Sequence, residues 1–132
     1  MNTIRAIVSD IQSVDNLNIV SFEVDDTKMQ MMSLGLNTPI KIGSKVILGV
    51  KASNILLAKN LSGILSASNQ LPCIVQSINH GKLLSSVKLS FADGFIQSVI
   101  TNSSSLRMNL QEGDEVLAIV KSSELSILEV QD

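Results

Sequence analysis

The chain has 132 residues, long enough for one compact domain or two very small ones. Hydrophobic residues make up 45% and charged residues 17%, which is too apolar for disorder, and no apolar run is long enough to span a membrane as a helix. Net charge is −2 and the only aromatics are three Phe, so neither a basic field nor a stacking platform invites nucleic acid.

The N-terminal stretch Met1-Asn2-Thr3-Ile4-Arg5 lacks the apolar core of a signal peptide, so a cytoplasmic location is expected. Along the chain the apolar pattern is short and period-two. Val20, Phe22 and Val24 alternate with Ser21 and Glu23, and Val87, Leu89 and Phe91 alternate with Lys88 and Ser90. Turn signals separate these runs at Asp15-Asn16, Asp25-Asp26, Ile42-Gly43-Ser44, Asn79-His80-Gly81, Asp93-Gly94 and Glu112-Gly113-Asp114. Single helical turns are predicted over Ser33 to Leu36 and Ser103 to Met108. The strand spacing predicts an all-β protein built as small barrels or sandwiches.

The pattern occurs twice. Gly43 through Ser53 lies over Gly113 through Ser123, with Gly, Val, Val, Lys and Ser recurring 70 residues apart. Val8 and Ile11 match Val75 and Ile78 at a separation of 67. The difference predicts a loop three residues longer in the second half, placed near Ala92-Asp93-Gly94. Two modules follow, 1–60 and 67–132, each of about five strands with a short helical turn after the third. That layout is compatible with an OB-like Greek-key β-barrel. A module of this size is marginal alone, so further apolar surface must be covered by something else.

Catalysis has no visible cast. His80 has no second His or Cys to complete a metal site, and it reads as a residue of a hairpin tip. Cys73 reads as a buried small hydrophobe, and the acidic residues as turn chemistry. No nucleophile stands with a base, and no organic cofactor is implied. The positive signal is a recurring set of hydrogen-bond donors at strand ends. Lys51-Ala52-Ser53-Asn54 and Lys121-Ser122-Ser123-Glu124 repeat one another. Thr101, Ser103 and Ser104 open the second helical turn, and Ser66-Ala67-Ser68-Asn69 enters the second module. Hydroxyls, turn N–H groups and an ammonium suit a small tetrahedral oxyanion, whose oxygens only accept.

At these residues the chain resembles the molbindins, built from Mop (TOBE) domains. The family's entry motif of Ser-Ala-Arg-Asn type stands here as Ser66-Ala67-Ser68-Asn69. Its Ile-Thr-x-x-Ser turn corresponds to Ile100-Thr101-Asn102-Ser103-Ser104, and its Gly-Asp-x-Val…Lys-Ala-Ser strand end to Gly113 through Ser123. The first module matches at Gly43 and again at Lys51-Ala52-Ser53. Two departures stand out: Ser68 replaces the family Arg, and in the first module Met31 takes the Thr position, with only Ser33 left of that turn. The resemblance implies strand exchange as an option between the barrels. It implies molybdate or tungstate as the bound ligand, a role in storage or homeostasis, and a homotrimer as the assembly. The alternative is a regulatory or accessory OB-like module, either a nucleic-acid binder or a detached part of a transporter ATPase.

Overall fold

The computed structural model describes residues 1–36 and 38–132. It contains ten strands: β1 (Asn2–Val14), β2 (Leu17–Val24), β3 (Thr27–Leu34), β4 (Lys45–Val50), β5 (Leu56–Ala58), β6 (Asn69–His80), β7 (Leu84–Phe91), β8 (Gly94–Thr101), β9 (Glu115–Val120) and β10 (Ser126–Val130). One α-helix, α1 (Asn102–Arg107), precedes β9, and 3₁₀ turns at Ala52–Asn54 and Ser122–Glu124 follow β4 and β9. All strand pairs are antiparallel. The fold is all-β, two curled five-stranded sheets of OB-like kind.

Alternation in sequence becomes alternation in burial. Val20, Phe22 and Val24 point into the core, as do Val87, Leu89 and Phe91, while Ser21, Glu23, Lys88 and Ser90 do not. The long strands β1 and β6 each serve two neighbours and bend at a bulge, after Val8 and after Val75. At each bulge the chain is gripped from the loop before β4 or β9. Val8 N–H donates to Ser44 O at 2.9 Å and Gly43 N–H to Val8 O at 2.8 Å. Val75 N–H donates to Asp114 O at 2.9 Å and Gly113 N–H to Val75 O at 2.8 Å. Both glycines are left-handed, at φ +95° and +90°, which explains why glycine repeats there.

The sheets do not follow the order of the sequence. One sheet runs β10-β4-β1-β2-β3 and the other β5-β9-β6-β7-β8. Each half therefore donates its last strand to the sheet of the other, and one continuous core spans both. Two latches close the exchange. Beyond β5, Lys59 Nζ donates to Met108 O at 3.3 Å and Asn109 O at 2.9 Å, and pairs with Asp114 at 2.9 Å. Beyond β10, Asp132 accepts from Ser44 Oγ at 2.6 Å and from Lys45 N–H at 3.0 Å. Shape adds specificity. A Cβ on Gly49 would lie 2.7 Å from the Leu128 side chain of β10, so any larger residue there must displace Leu128. The repeat-related positions are Ile119 and Ala58, so the bulky and small residues trade places between the sheets.

The three extra residues of the second half lie elsewhere than expected. The separation of 67 persists through β8, since Phe91 pairs with Gly94 as Val24 pairs with Thr27. The β7–β8 turn is thus no longer than the β2–β3 turn, and the insertion falls between β8 and β9, where α1 forms. Sequence alone located it at the nearest Asp-Gly because no match was visible across β3 and β8. The same register places Thr101 over Leu34 rather than Met31. Ser33 to Leu36 form no helical turn: Ser33 and Leu34 end β3, and Gly35 bends the chain at φ +77°. His80 is not at a hairpin tip but ends β6, its Nδ1 2.9 Å from Ser85 Oγ.

The latch carboxylates predict an acid limb of stability. The Lys59 side chain, and next the Gln111 N–H, hold the Asp114 carboxyl below its ordinary range. For Asp132 the Ser44 hydroxyl leads, followed by the Lys45 N–H. Because both native values are lowered, the unfolded chain takes up these protons first as pH falls. Their contribution is complete above the ordinary aspartate range of about 4 and disappears as pH drops through the lower native values. Urea melts from about pH 6 down to pH 3 should show that loss. The double variant Asp114→Asn, Asp132→Asn should flatten it; an unchanged acid limb would dismiss the latches.

Candidate functional site

The entry residue Asn69 is fully buried and its amide is committed to backbone. Its Nδ2 donates to Gln30 O at 2.9 Å and its Oδ1 accepts from Gln30 N–H at 2.7 Å, so the side chain docks on β3 as one more strand residue would. Asn2 does the same on β8: its Nδ2 donates to Gln97 O and its Oδ1 accepts from Gln97 N–H, both at 2.8 Å. Asn2 and Asn69 are 67 residues apart, as are Gln30 and Gln97. Asn2 was missed as a site residue because no neighbouring residue displays the entry motif; the repeat separation would have found it.

The two 3₁₀ turns sit crosswise. The Ala52–Asn54 turn packs on β8 and the Ser122–Glu124 turn on β3. Lys51 and Lys121 cap them, both exposed and extended, at φ −70° and −67°. The turns close through Asn54 N–H to Lys51 O and Glu124 N–H to Lys121 O, each at 2.9 Å. Those bonds leave the N–H groups of Ala52, Ser53, Ser122 and Ser123 outside the turns' own pairing. Asn54 Nδ2 donates to Glu124 Oε2 at 2.9 Å. These two residues are themselves repeat partners, so their contact marks the local twofold between the halves. Glu124 puts a carboxylate at this joint where the first half has an amide.

Two donor clusters result. One gathers Ser68, Asn69 and the Lys121-Ser122-Ser123 turn around β3, since Asn69 pairs with Val120 and Ser68 Oγ lies 3.2 Å from Gln30 Oε1. Ser66 is exposed at its approach, and Ala67 O accepts from Gln70 Nε2 at 2.9 Å. The other gathers Asn2 and the Lys51-Ala52-Ser53 turn around β8. Among the described residues, neither Lys51 nor Lys121 is in an ion pair.

The third predicted group is separate. Thr101 caps α1: its Oγ1 accepts from Ser104 N–H at 3.2 Å, lies 3.1 Å from Ser103 Oγ, and donates to Ser104 Oγ at 2.9 Å. This is capping chemistry. Arg107 Nη2, one turn on, donates to Ser104 Oγ at 3.3 Å, a cation that sequence reasoning passed over. Ser105 Oγ is buried without a partner. Among the described residues no hydrogen bond joins this group to either cluster. Ser33 Oγ donates to Gly35 O at 2.8 Å, a local turn contact, and it matches Ile100 rather than Ser103.

The TOBE domain family matches residues 65–127. A search of curated proteins finds no significant match. Among solved structures, the cytoplasmic molybdate-binding protein ModG, crystallised with molybdate bound, superimposes with a TM-score of 0.90. Identity is 25%, over 96% of this chain and 94% of that one. Residues 65–127 are thus a TOBE domain, and the chain as a whole has the fold of this molybdate-binding protein.

The likeness runs to a binding domain and a binding protein, neither of them catalytic. Its remaining reactive-looking groups are accounted for by packing. Burial pushes the Cys73 thiol up to about 11, so it stays protonated and unreactive near neutral pH. Among the described residues no cluster of His, Cys, Asp and Glu could hold a metal ion, and no helix is long and apolar enough to cross a membrane.

Proposed function

We propose that this protein is a molbindin that binds small tetrahedral oxyanions, molybdate or tungstate, for storage or homeostasis in the cytoplasm. The observation that carries the reading is the near-complete superposition on a molybdate-bound relative. The donor clusters at the two 3₁₀ turns support it. Each offers at least one serine hydroxyl, turn N–H groups outside the turn's own pairing and a repeated lysine, on a frame held by a buried or clamped asparagine. Acceptors are scarce in the cluster around β8, and that suits an anion carrying no proton. Phosphate near neutral pH retains a proton that needs an acceptor, and sulfate is excluded by size rather than by charge.

Titration calorimetry with molybdate, tungstate, sulfate and phosphate tests the proposal. Heat is expected with the first two; heat with none would end it. Lys51 and Lys121 serve as the anion-facing cations, with Ser53, Ser122 and Ser123 as neighbouring donors. Lys121→Met should weaken binding by about 1–3 kcal/mol, the scale of one charge-assisted hydrogen bond. Affinity unchanged in both the Lys51→Met and Lys121→Met proteins would leave these lysines as solvated strand ends.

The assembly belongs to the same proposal: a homotrimer of two-barrel chains with anions at or near its interfaces. Repeat-related apolar residues remain on the outside of the single chain, among them Ile7 and Ile74, 47% and 43% exposed, and Leu17 and Leu84. A doubly charged anion also gains when symmetry repeats one lysine around an axis.

A further inference from the structure

Charge sorts the cavities of this molecule. One, about 740 Å³, is bordered by Asp25, Asp93 and Glu129 against a single Arg5, and a second of about 610 Å³ carries Glu115. A third, about 300 Å³, has a lysine and no carboxylate in its wall. It lies where the first 3₁₀ turn meets β8, and Met1, Asn2, Ala52, Lys88, Phe95 and Gln97 are among its lining residues. Lys88 is directly opposite Gln97 in the β7–β8 register, and its Nζ rests 4.4 Å from the Phe95 ring centre. No ion pair holds Lys88 among the described residues.

We infer that this cavity is an oxyanion site and that Lys88, outside every repeated motif, is a second cation of the first-half cluster, beside Lys51. The inference rests on the oxyanion reading above and names the residue that serves its first-half cluster. The Asn2–Gln97 clamp fixes the cavity wall through two main-chain bonds, so the donors around it are preorganised. A volume of this size equals about ten waters, room for a four-oxygen anion with part of its hydration shell. The ammonium over Phe95 is held by a weak, exposed cation–π contact, which an anion's charge readily outbids. The other half is not equivalent. Ser21 stands at the position of Lys88, and Lys28 at that of Phe95. The two clusters therefore differ in affinity although their asparagine clamps match.

Equilibrium titration of the full chain with molybdate tests this, using Lys88→Met, Lys88→Arg and, as a control of equal charge change, Lys82→Met in the β6–β7 turn. Lys88→Met is expected to weaken one class of site roughly tenfold or more. Lys88→Arg should restore most of it, and Lys82→Met should match the wild type. Thermal melts establish that each variant is folded. A Lys88→Met isotherm that superimposes on the wild type, or a Lys82→Met protein weakened equally, overturns the assignment while leaving oxyanion binding intact. A wild-type protein that takes up no molybdate overturns the oxyanion reading itself.

Discussion

Neither half of this chain should fold alone. Peptides 1–62 and 63–132, made separately, are expected to give no cooperative melt, and mixing them should restore the β-sheet signal and a single transition. In isolation the second half keeps β9 without its edge partner β5 and carries β10 with nothing to pair against, and the first half is left with the mirror-image defect. The loss is large. Leu125 and Ile55, each almost fully buried, sit just ahead of the exchanged strands, and burying such a side chain is worth about 1.5–3 kcal/mol. Added to the partly buried Leu57, Ile127 and Val130 and to the Lys59 and Asp132 latches, this is a large share of the total stability of about 5–15 kcal/mol expected of a domain. Gly49→Val applies the same strain at one site, because its side chain would occupy the space of Leu128. Circular dichroism melts of the fragments, singly and mixed, provide the measurement. A monomeric fragment 63–132 with its own cooperative transition would refute the dependence.

Oxyanion binding should raise stability and favour assembly together. At a free molybdate concentration one hundred times Kd, linkage adds about 2.7 kcal/mol per site to the folded state. Two sites per chain would double that, a shift in Tm readily seen by calorimetry. If anions lie at subunit interfaces, the gain should grow with protein concentration, because ligand and partner both bind only the native form. Light scattering should then report a species larger than the 14.2 kDa chain, shifted further by molybdate. A monomer at micromolar concentration with and without molybdate would exclude the trimer. A melting temperature unmoved by molybdate would count against binding itself.

The relation between the halves accounts for what was readable early and what was not. Val20, Phe22 and Val24 declare a strand because burial on one face of a sheet demands alternation. Gly43 and Gly113 repeat because each must adopt a left-handed conformation beside a bulge. The Lys-x-Ser strand ends were visible for the same reason: local geometry imposes local residues. Asn2 was invisible as a site residue, since its partner Gln97 is 95 residues away and no short motif records the pair. The place of the three-residue insertion was also missed, because β3 and β8 share a register but almost no residues.

By itself, then, the sequence determined the strand pattern, the duplication, and a donor-rich chemistry without catalytic groups, all of which are written in neighbouring residues. Only the tertiary structure decided which sheet each last strand joins. That choice depends on side chains meeting across the twofold, such as Leu128 above Gly49 and Asn54 against Glu124. It also decided that the Thr101 hydroxyl caps a helix, and that Lys88 shares a cavity with Asn2. Such neighbours are brought together by packing over separations of 70 residues or more, which no local pattern encodes.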